Sequence, residues 1–218
     1  QRLADAAAEA ALLHDASQLV GLAIREDVGP GDITSQICLP EGKVHAAEIV
    51  ARQRGVMAGL WVAGLVYDAL GGAVTVDPLV NDGESFEPGC KLAAVHGPVD
   101  TILTGERTVL NFLQRLCGVA TVTRQFVEAV AGTAATVCDT RKTTPGWRRL
   151  EKYAVLCGGG MNHRLGLFDQ VLIKDNHLAL VGQDIATVVA QARARVGPEV
   201  IIEVEVDTLD QLKAVLGL

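Results

Sequence analysis

From Ala134 onward the chain alternates strand-like and helix-like segments with short connections, and this alternation constrains its fold more than any other feature. Apolar runs predict strands over 135–138, 170–173 and 200–206. Helical spacing predicts helices over 147–156, 185–196 and 209–216, with loops over 140–146 and 174–184. A βαβαβα order with short connections predicts a parallel sheet. Doubly wound sheets and closed barrels both satisfy it, and in each the ligand lies at the carboxyl ends of the strands.

The first part of the chain, to about residue 103, mixes its signals in an α+β pattern. A helix is predicted over 4–23 and a turn at Gly29-Pro30-Gly31-Asp32. A strand is expected over 43–52, a helix over 62–70, and short strands around Val74, Phe86 and Leu92. Thr104 suits an N-cap with Glu106 in the first turn, and Val109, Leu110, Leu113 and Leu116 follow at helical spacing. Gly118 is expected to interrupt that helix, with a second one over 119–131.

The 218 residues suffice for one large or two smaller domains, and 49% are hydrophobic, so a sizeable core can form. A net charge of -7 argues against a nucleic-acid or anionic-membrane binder. Residues 139–177 are the exception: seven Lys/Arg against four Asp/Glu give +3, leaving -10 for the rest. The five cysteines lack CxxC spacing, so they point to a reducing compartment and to plain buried thiols rather than a zinc site. The N-terminal residues show no basic segment followed by an apolar core, so no signal peptide is expected. Residues 55–76 are too interrupted for a membrane span, and a buried helix is expected there.

The basic island falls on the expected strand ends. The first strand leads into Asp139-Thr140-Arg141-Lys142, and the second into Lys174-Asp175-Asn176-His177. Between them runs Gly158-Gly159-Gly160-Met161-Asn162-His163-Arg164. Arg141, Lys142, Arg164 and Lys174 form a cationic set suited to carboxylate or phosphate oxygens. The glycine run lets backbone N–H groups approach a ligand, although a helix C-cap would use glycine equally. Glu203 and Glu205 share one strand face, where a carboxylate needs a partner. Glu203 could pair with Lys142 or Lys174, hold Mg²⁺, or stabilise developing positive charge, and Glu205 better suits a structural ion pair. Lys174 at a strand end also admits a Schiff-base lyase, and an anion-binding module without chemistry stays open.

The same residues resemble the quinolinate phosphoribosyltransferase family. The resemblance rests on residues 26–35 (EDVGPGDITS), 105–114 (GERTVLNFLQ), 139–146 (DTRKTTPG), 158–164 (GGGMNHR) and 172–177 (LIKDNH). It implies an α/β fold: an N-terminal α/β sandwich domain followed by an incomplete, seven-stranded α/β barrel. The division would be residues 1–112, the sandwich with its linking helix, and 113–218, the first portion of the barrel. It implies phosphoribosyl transfer from phosphoribosyl pyrophosphate to quinolinate with loss of CO₂, with Mg²⁺ required, in the cytoplasm. Carried over by residue, Arg141, His163, Arg164 and Lys174 would hold the quinolinate carboxylates, and Thr140 would add a hydrogen bond. Lys142 would contact the sugar phosphate, and Glu203 would face the ribose. Arg107 would reach the site from the partner of a homodimer or higher homo-oligomer. That role would account for a cation at the start of a helix, where the dipole disfavours it. A relative of the same fold acting on another heteroaromatic acid would share most of these motifs. The family continues for further strands beyond the one that bears Glu203, so the sequence is expected to be part of a longer chain.

Overall fold

The computed structural model describes residues 6–40, 42–182 and 184–216, without the side chains of 175, 179 and 181. The fold mixes α and β structure in two compact units, Gln1–His163 and Arg164–Leu218. Among the described residues no helix is long and apolar enough to cross a membrane.

The first unit contains α1 (Ala6–Asp27), α2 (Ile33–Cys38), β1 (Val44–Val50), β2 (Gly55–Val56) and α3 (Trp61–Ala69). It continues through β3 (Thr75–Pro78), β4 (Ser85–Phe86), β5 (Lys91–Pro98), α4 (Val99–Ala129) and α5 (Arg148–Cys157). Strands β1, β5 and β3 form an antiparallel sheet in that order, and β2 pairs with β4. Leu92, Ala93 and Val95 of β5 turn into the core, which α1, α3 and α4 complete through Ala16, Val20, Val62, Val66, Val109, Phe112 and Leu116. Each large side chain buried in this way contributes about 1.5–3 kcal/mol.

Helix α4 departs from the expectation at both ends of its first half. It begins at Val99, just after Pro98, so Thr104 lies inside it. Asp100 supplies the acidic residue of the first turn. The Thr104 hydroxyl instead donates to Asp32 Oδ2 at 3.1 Å, and Asp32 caps α2 by accepting from Ser35 N at 3.0 Å. Gly118 does not interrupt the helix. One helical glycine costs only about 1 kcal/mol relative to alanine, while Leu113, Leu116 and Ala120 on either side are buried. Position 112, where the resemblance divides the domains, lies in the middle of α4.

The second unit contains β6 (Val171–Ile173), α6 (Asp175–Val181), α7 (Ile185–Arg195), β7 (Ile202–Val204) and α8 (Leu209–Val215). β6 and β7 pair in parallel, with Leu172 opposite Glu203, as the alternation predicts. The segment expected as a loop over 174–184 contains α6, whose seven residues are too few for a periodic signal. It is closed by Gly182 in the left-handed region, φ 65°. Among the described residues the strand expected over 135–138 is reduced to an isolated parallel bridge between Cys138 and Met161. Of the cysteines expected to be buried, Cys38 and Cys138 are exposed, Cys90, Cys117 and Cys157 are half-buried, and all five are free thiols. Burial pushes the Cys117 thiol up to about 11 and the Cys157 thiol up to about 12, so both are poor nucleophiles at neutral pH.

Candidate active site

In the first unit the cationic residues sit on a loop held at both ends. At its start Asp139 N–H donates to Met161 O at 3.0 Å, and Met161 N–H donates to Val137 O at 2.9 Å. The Asp139 carboxylate forms an ion pair with Lys152 of α5, and the two side chains are only 8% and 3% exposed. At the far end Glu151 accepts from Arg115 Nε at 3.2 Å and from Thr144 N–H at 3.3 Å. Arg115 Nη2 also donates to Thr144 Oγ1 at 2.7 Å, and Arg148 Nε donates to Thr143 Oγ1 at 3.0 Å.

Thr140, Arg141 and Lys142 lie between these anchors. Thr140 Oγ1 accepts from Lys142 N–H at 3.0 Å, and a hydroxyl that accepts in this way can still donate its own proton. Lys142 is exposed. The Nε of Arg141 is buried and meets no hydrogen-bond partner among the described residues. A buried guanidinium N–H without an acceptor is costly, and an anionic ligand would relieve that cost.

His163 is fixed through its backbone. Its N–H donates to Asp139 Oδ1 at 2.9 Å, and its carbonyl accepts from Lys152 Nζ at 3.0 Å. The amide of the neighbouring Asn162, oriented with its nitrogen toward acceptors, donates to Asp139 Oδ2 at 2.7 Å and to Lys152 O at 2.9 Å. Lys152 gives no sequence signal of its own, because a buried lysine on a short amphipathic helix looks like any surface lysine.

The glycine run serves packing rather than ligand approach. Gly158, Gly159 and Gly160 donate their N–H groups to Ala154 O, Leu156 O and Val155 O at 3.0, 2.9 and 3.0 Å. Those donors are spent on the C-terminus of α5. A Cβ on Gly158 would lie 2.5 Å from Ala120 O and 2.6 Å from Thr123 Cβ of α4. Gly159 supplies the positive φ, 89°, that ends the helix. Arg124 of α4 completes this helix end by donating from Nε to Gly158 O at 2.9 Å.

Arg107 does not begin a helix. It lies in the third turn of α4, so the helix dipole has no bearing on it. It is exposed and lines a cavity of about 530 Å³ with Arg52, Tyr67, Leu103, Leu110 and Gln114.

In the second unit Arg164 is buried, at 8% exposure. The loop after it is held by Asp169, which accepts from Leu165 N–H at 2.6 Å and Gly166 N–H at 2.9 Å. Lys174 follows β6 and stands at the N-cap of α6, where its N–H donates to His177 Nδ1 at 2.9 Å. That bond gives His177 a role in shaping the strand-to-helix turn. The Lys174 ammonium lies 3.7 Å from Glu205 Oε2, so Glu205 is the ion-pair partner its position anticipates. Lys174 is 46% exposed on its side chain and lacks the desolvation on which a Schiff-base lysine depends. Glu203 is exposed on β7, opposite Leu172. Among the described residues no three His, Cys, Asp or Glu gather as a metal cluster.

Family comparisons give this arrangement a context. Residues 32–117 match the N-terminal domain of quinolinate phosphoribosyl transferase, and residues 119–218 match its C-terminal domain. The chain is 45% identical over 192 residues to a probable nicotinate-nucleotide pyrophosphorylase [carboxylating] of Bacillus subtilis (strain 168), covering 88% of this chain and 66% of that protein. It is 48% identical over 198 residues to the nicotinate-nucleotide pyrophosphorylase [carboxylating] of Mycobacterium leprae (strain TN), covering 89% and 69%. The crystal structure of NadC from Streptococcus pyogenes superposes with a TM-score of 0.88 at 37% identity, over 94% of this chain and 74% of that one. The chain thus spans about two thirds of the length of the two bacterial sequence relatives. With both domains matched in order and the fold shared, the chain belongs to the quinolinate phosphoribosyltransferase family.

Proposed function

We propose that this chain transfers a phosphoribosyl group from phosphoribosyl pyrophosphate to the ring nitrogen of quinolinate. Loss of the 2-carboxylate as CO₂ then leaves nicotinate mononucleotide, with pyrophosphate as the other product, as a step in the synthesis of NAD. The observation that carries this reading is the tip of the 139–146 loop. Rigid anchors on both sides present Arg141, whose buried Nε lacks an acceptor among the described residues, beside an exposed Lys142. A dianionic heteroaromatic acid and a phosphate-rich donor are the ligands such groups recognise.

In this reading Arg141, His163, Arg164 and Lys174 bind the quinolinate carboxylates, and Thr140 donates its hydroxyl proton to the same substrate. Lys142 binds the sugar phosphate. Glu203 faces the ribose and stabilises positive charge on it as pyrophosphate departs. Mg²⁺ would neutralise the leaving diphosphate. Such an ion would need only one or two protein carboxylates beside the substrate phosphates, and Glu203, exposed at its strand, would be one that could hold it. The fold would be an α/β sandwich followed by the parallel strands of an incomplete barrel. The setting would be cytoplasmic, where free thiols such as these five persist.

Turnover by the complete chain with Mg²⁺ should release CO₂ and pyrophosphate from quinolinate and phosphoribosyl pyrophosphate. Transfer to nicotinate or another acid without CO₂ would assign the chain to a different substrate, and no transfer to any acid would end the reading. Lys174→Ala should raise the quinolinate KM about ten- to a hundredfold, the worth of one charge-assisted hydrogen bond. An unchanged KM would remove Lys174 from the carboxylate site. Arg107 is proposed to act in the partner subunit of a homodimer or higher homo-oligomer. Arg107→Ala chains mixed with Lys142→Ala chains should therefore regain activity that neither has alone. Mixed dimers without recovery would place Arg107 outside the shared site.

A further inference from the structure

We infer that the buried Lys152–Asp139 pair is a positioning device for His163, setting quinolinate affinity without touching quinolinate. This inference rests on the reading of His163 as a quinolinate ligand. Two buried charges could serve the core alone, but the bonds around this pair run elsewhere. Lys152 Nζ holds the His163 carbonyl, and Asp139 Oδ1 holds the His163 N–H, at 3.0 and 2.9 Å. Asp139 Oδ2 and the Lys152 carbonyl both accept from the Asn162 amide, at 2.7 and 2.9 Å. The backbone N–H and carbonyl of His163 are therefore both held by one ion pair, whose members are 3% and 8% exposed on their side chains, and the Asn162 side chain braces the same pair.

The opposite end of the loop is secured independently, by Arg115 and Glu151 on Thr144. Lys142 has its own local bond to Thr140. Loss of the pair should accordingly displace His163 while leaving Lys142 in place. Displacement of a binding group by about an ångström costs on the order of a hundredfold when the group acts on the reacting centre, and a ligand group should cost less. A buried charge pair is also suited to this task because the low local dielectric strengthens the hydrogen bonds it makes and a satisfied buried network is rigid.

The test uses the complete chain and kinetics with each substrate varied in turn. Lys152→Met combined with Asp139→Asn removes both charges at nearly constant volume, so neither is left stranded. This variant should raise the quinolinate KM about tenfold and leave the phosphoribosyl pyrophosphate KM within about twofold. Asn162→Leu, at an exposed position, removes only the amide bonds and should raise the quinolinate KM about threefold. It serves alone if the double variant does not fold. A folded variant with a lower melting temperature but both KM values unchanged would show a purely structural pair and overturn the inference. Equal rises in both KM values would also overturn it. Failure of the unmodified chain to bind quinolinate in a calorimetric titration would instead overturn the functional reading beneath it.

Discussion

Lys152→Ala is expected to lower the unfolding free energy by about 3–5 kcal/mol, the cost of removing one partner of a buried ion pair. That would be a large share of the ~5–15 kcal/mol that ordinary domains possess. The expected loss comes from the anion left behind rather than from the methylenes removed. The Asp139 side chain is 8% exposed, and its remaining bonds, from His163 N–H and the Asn162 amide, bring no compensating positive charge. Lys152→Met with Asp139→Asn should lose much less, because replacing both members of a buried pair can be nearly neutral. Urea denaturation of the three proteins separates these contributions. A Lys152→Ala variant within about 1 kcal/mol of the parent would mean that solvent reaches Asp139 and that the pair is not a buried one.

Gly158→Val is expected to cost at least about 1–3 kcal/mol through overpacking, and more if α4 cannot yield. The new Cβ alone would stand 2.5 Å from the Ala120 carbonyl oxygen, which is backbone inside a 31-residue helix. Its neighbours Thr123 Cβ and Cγ2, at 2.6 and 2.9 Å, leave it nowhere to turn. Gly118→Ala provides the contrast. Gly118 is exposed in mid-helix, and a methyl group there would meet nothing within 4 Å, so alanine should stabilise by about 0.5–1 kcal/mol. Thermal melts of the two variants should shift in opposite directions. Similar shifts would show that the Gly158 contact with α4 is not tight.

Local patterns were legible where one short-range rule governed the outcome. The alternating apolar residues of β1 and the helical spacing of α1, α3 and α7 survive almost unchanged in the structure. The parallel pairing of β6 with β7 follows from the helices between them. The partnership of Lys174 with Glu205 follows from charges at adjacent strand ends. Intrinsic preference alone is misleading at Thr104 and Gly118. Thr104 is committed to Asp32, 72 residues away, and Gly118 is carried by the packing on both sides of it. The glycine run was ambiguous for a related reason. Glycine at a ligand and glycine at a helix crossing look alike in sequence, and only the 2.5 Å approach to Ala120 distinguishes them.

The sequence by itself determined the α/β class, the concentration of positive charge over residues 139–177 and the chemical kind of ligand that charge would seek. Those properties depend on residue type and spacing along the chain, which survive in any compact fold. Tertiary structure decided which charged residues are available to a ligand. Lys152 lies in the same island as Lys142 and has the same side chain, yet it is buried against Asp139 while Lys142 is exposed. Burial and pairing depend on contacts between segments distant in sequence, and the cost of an unpartnered charge makes those contacts decisive.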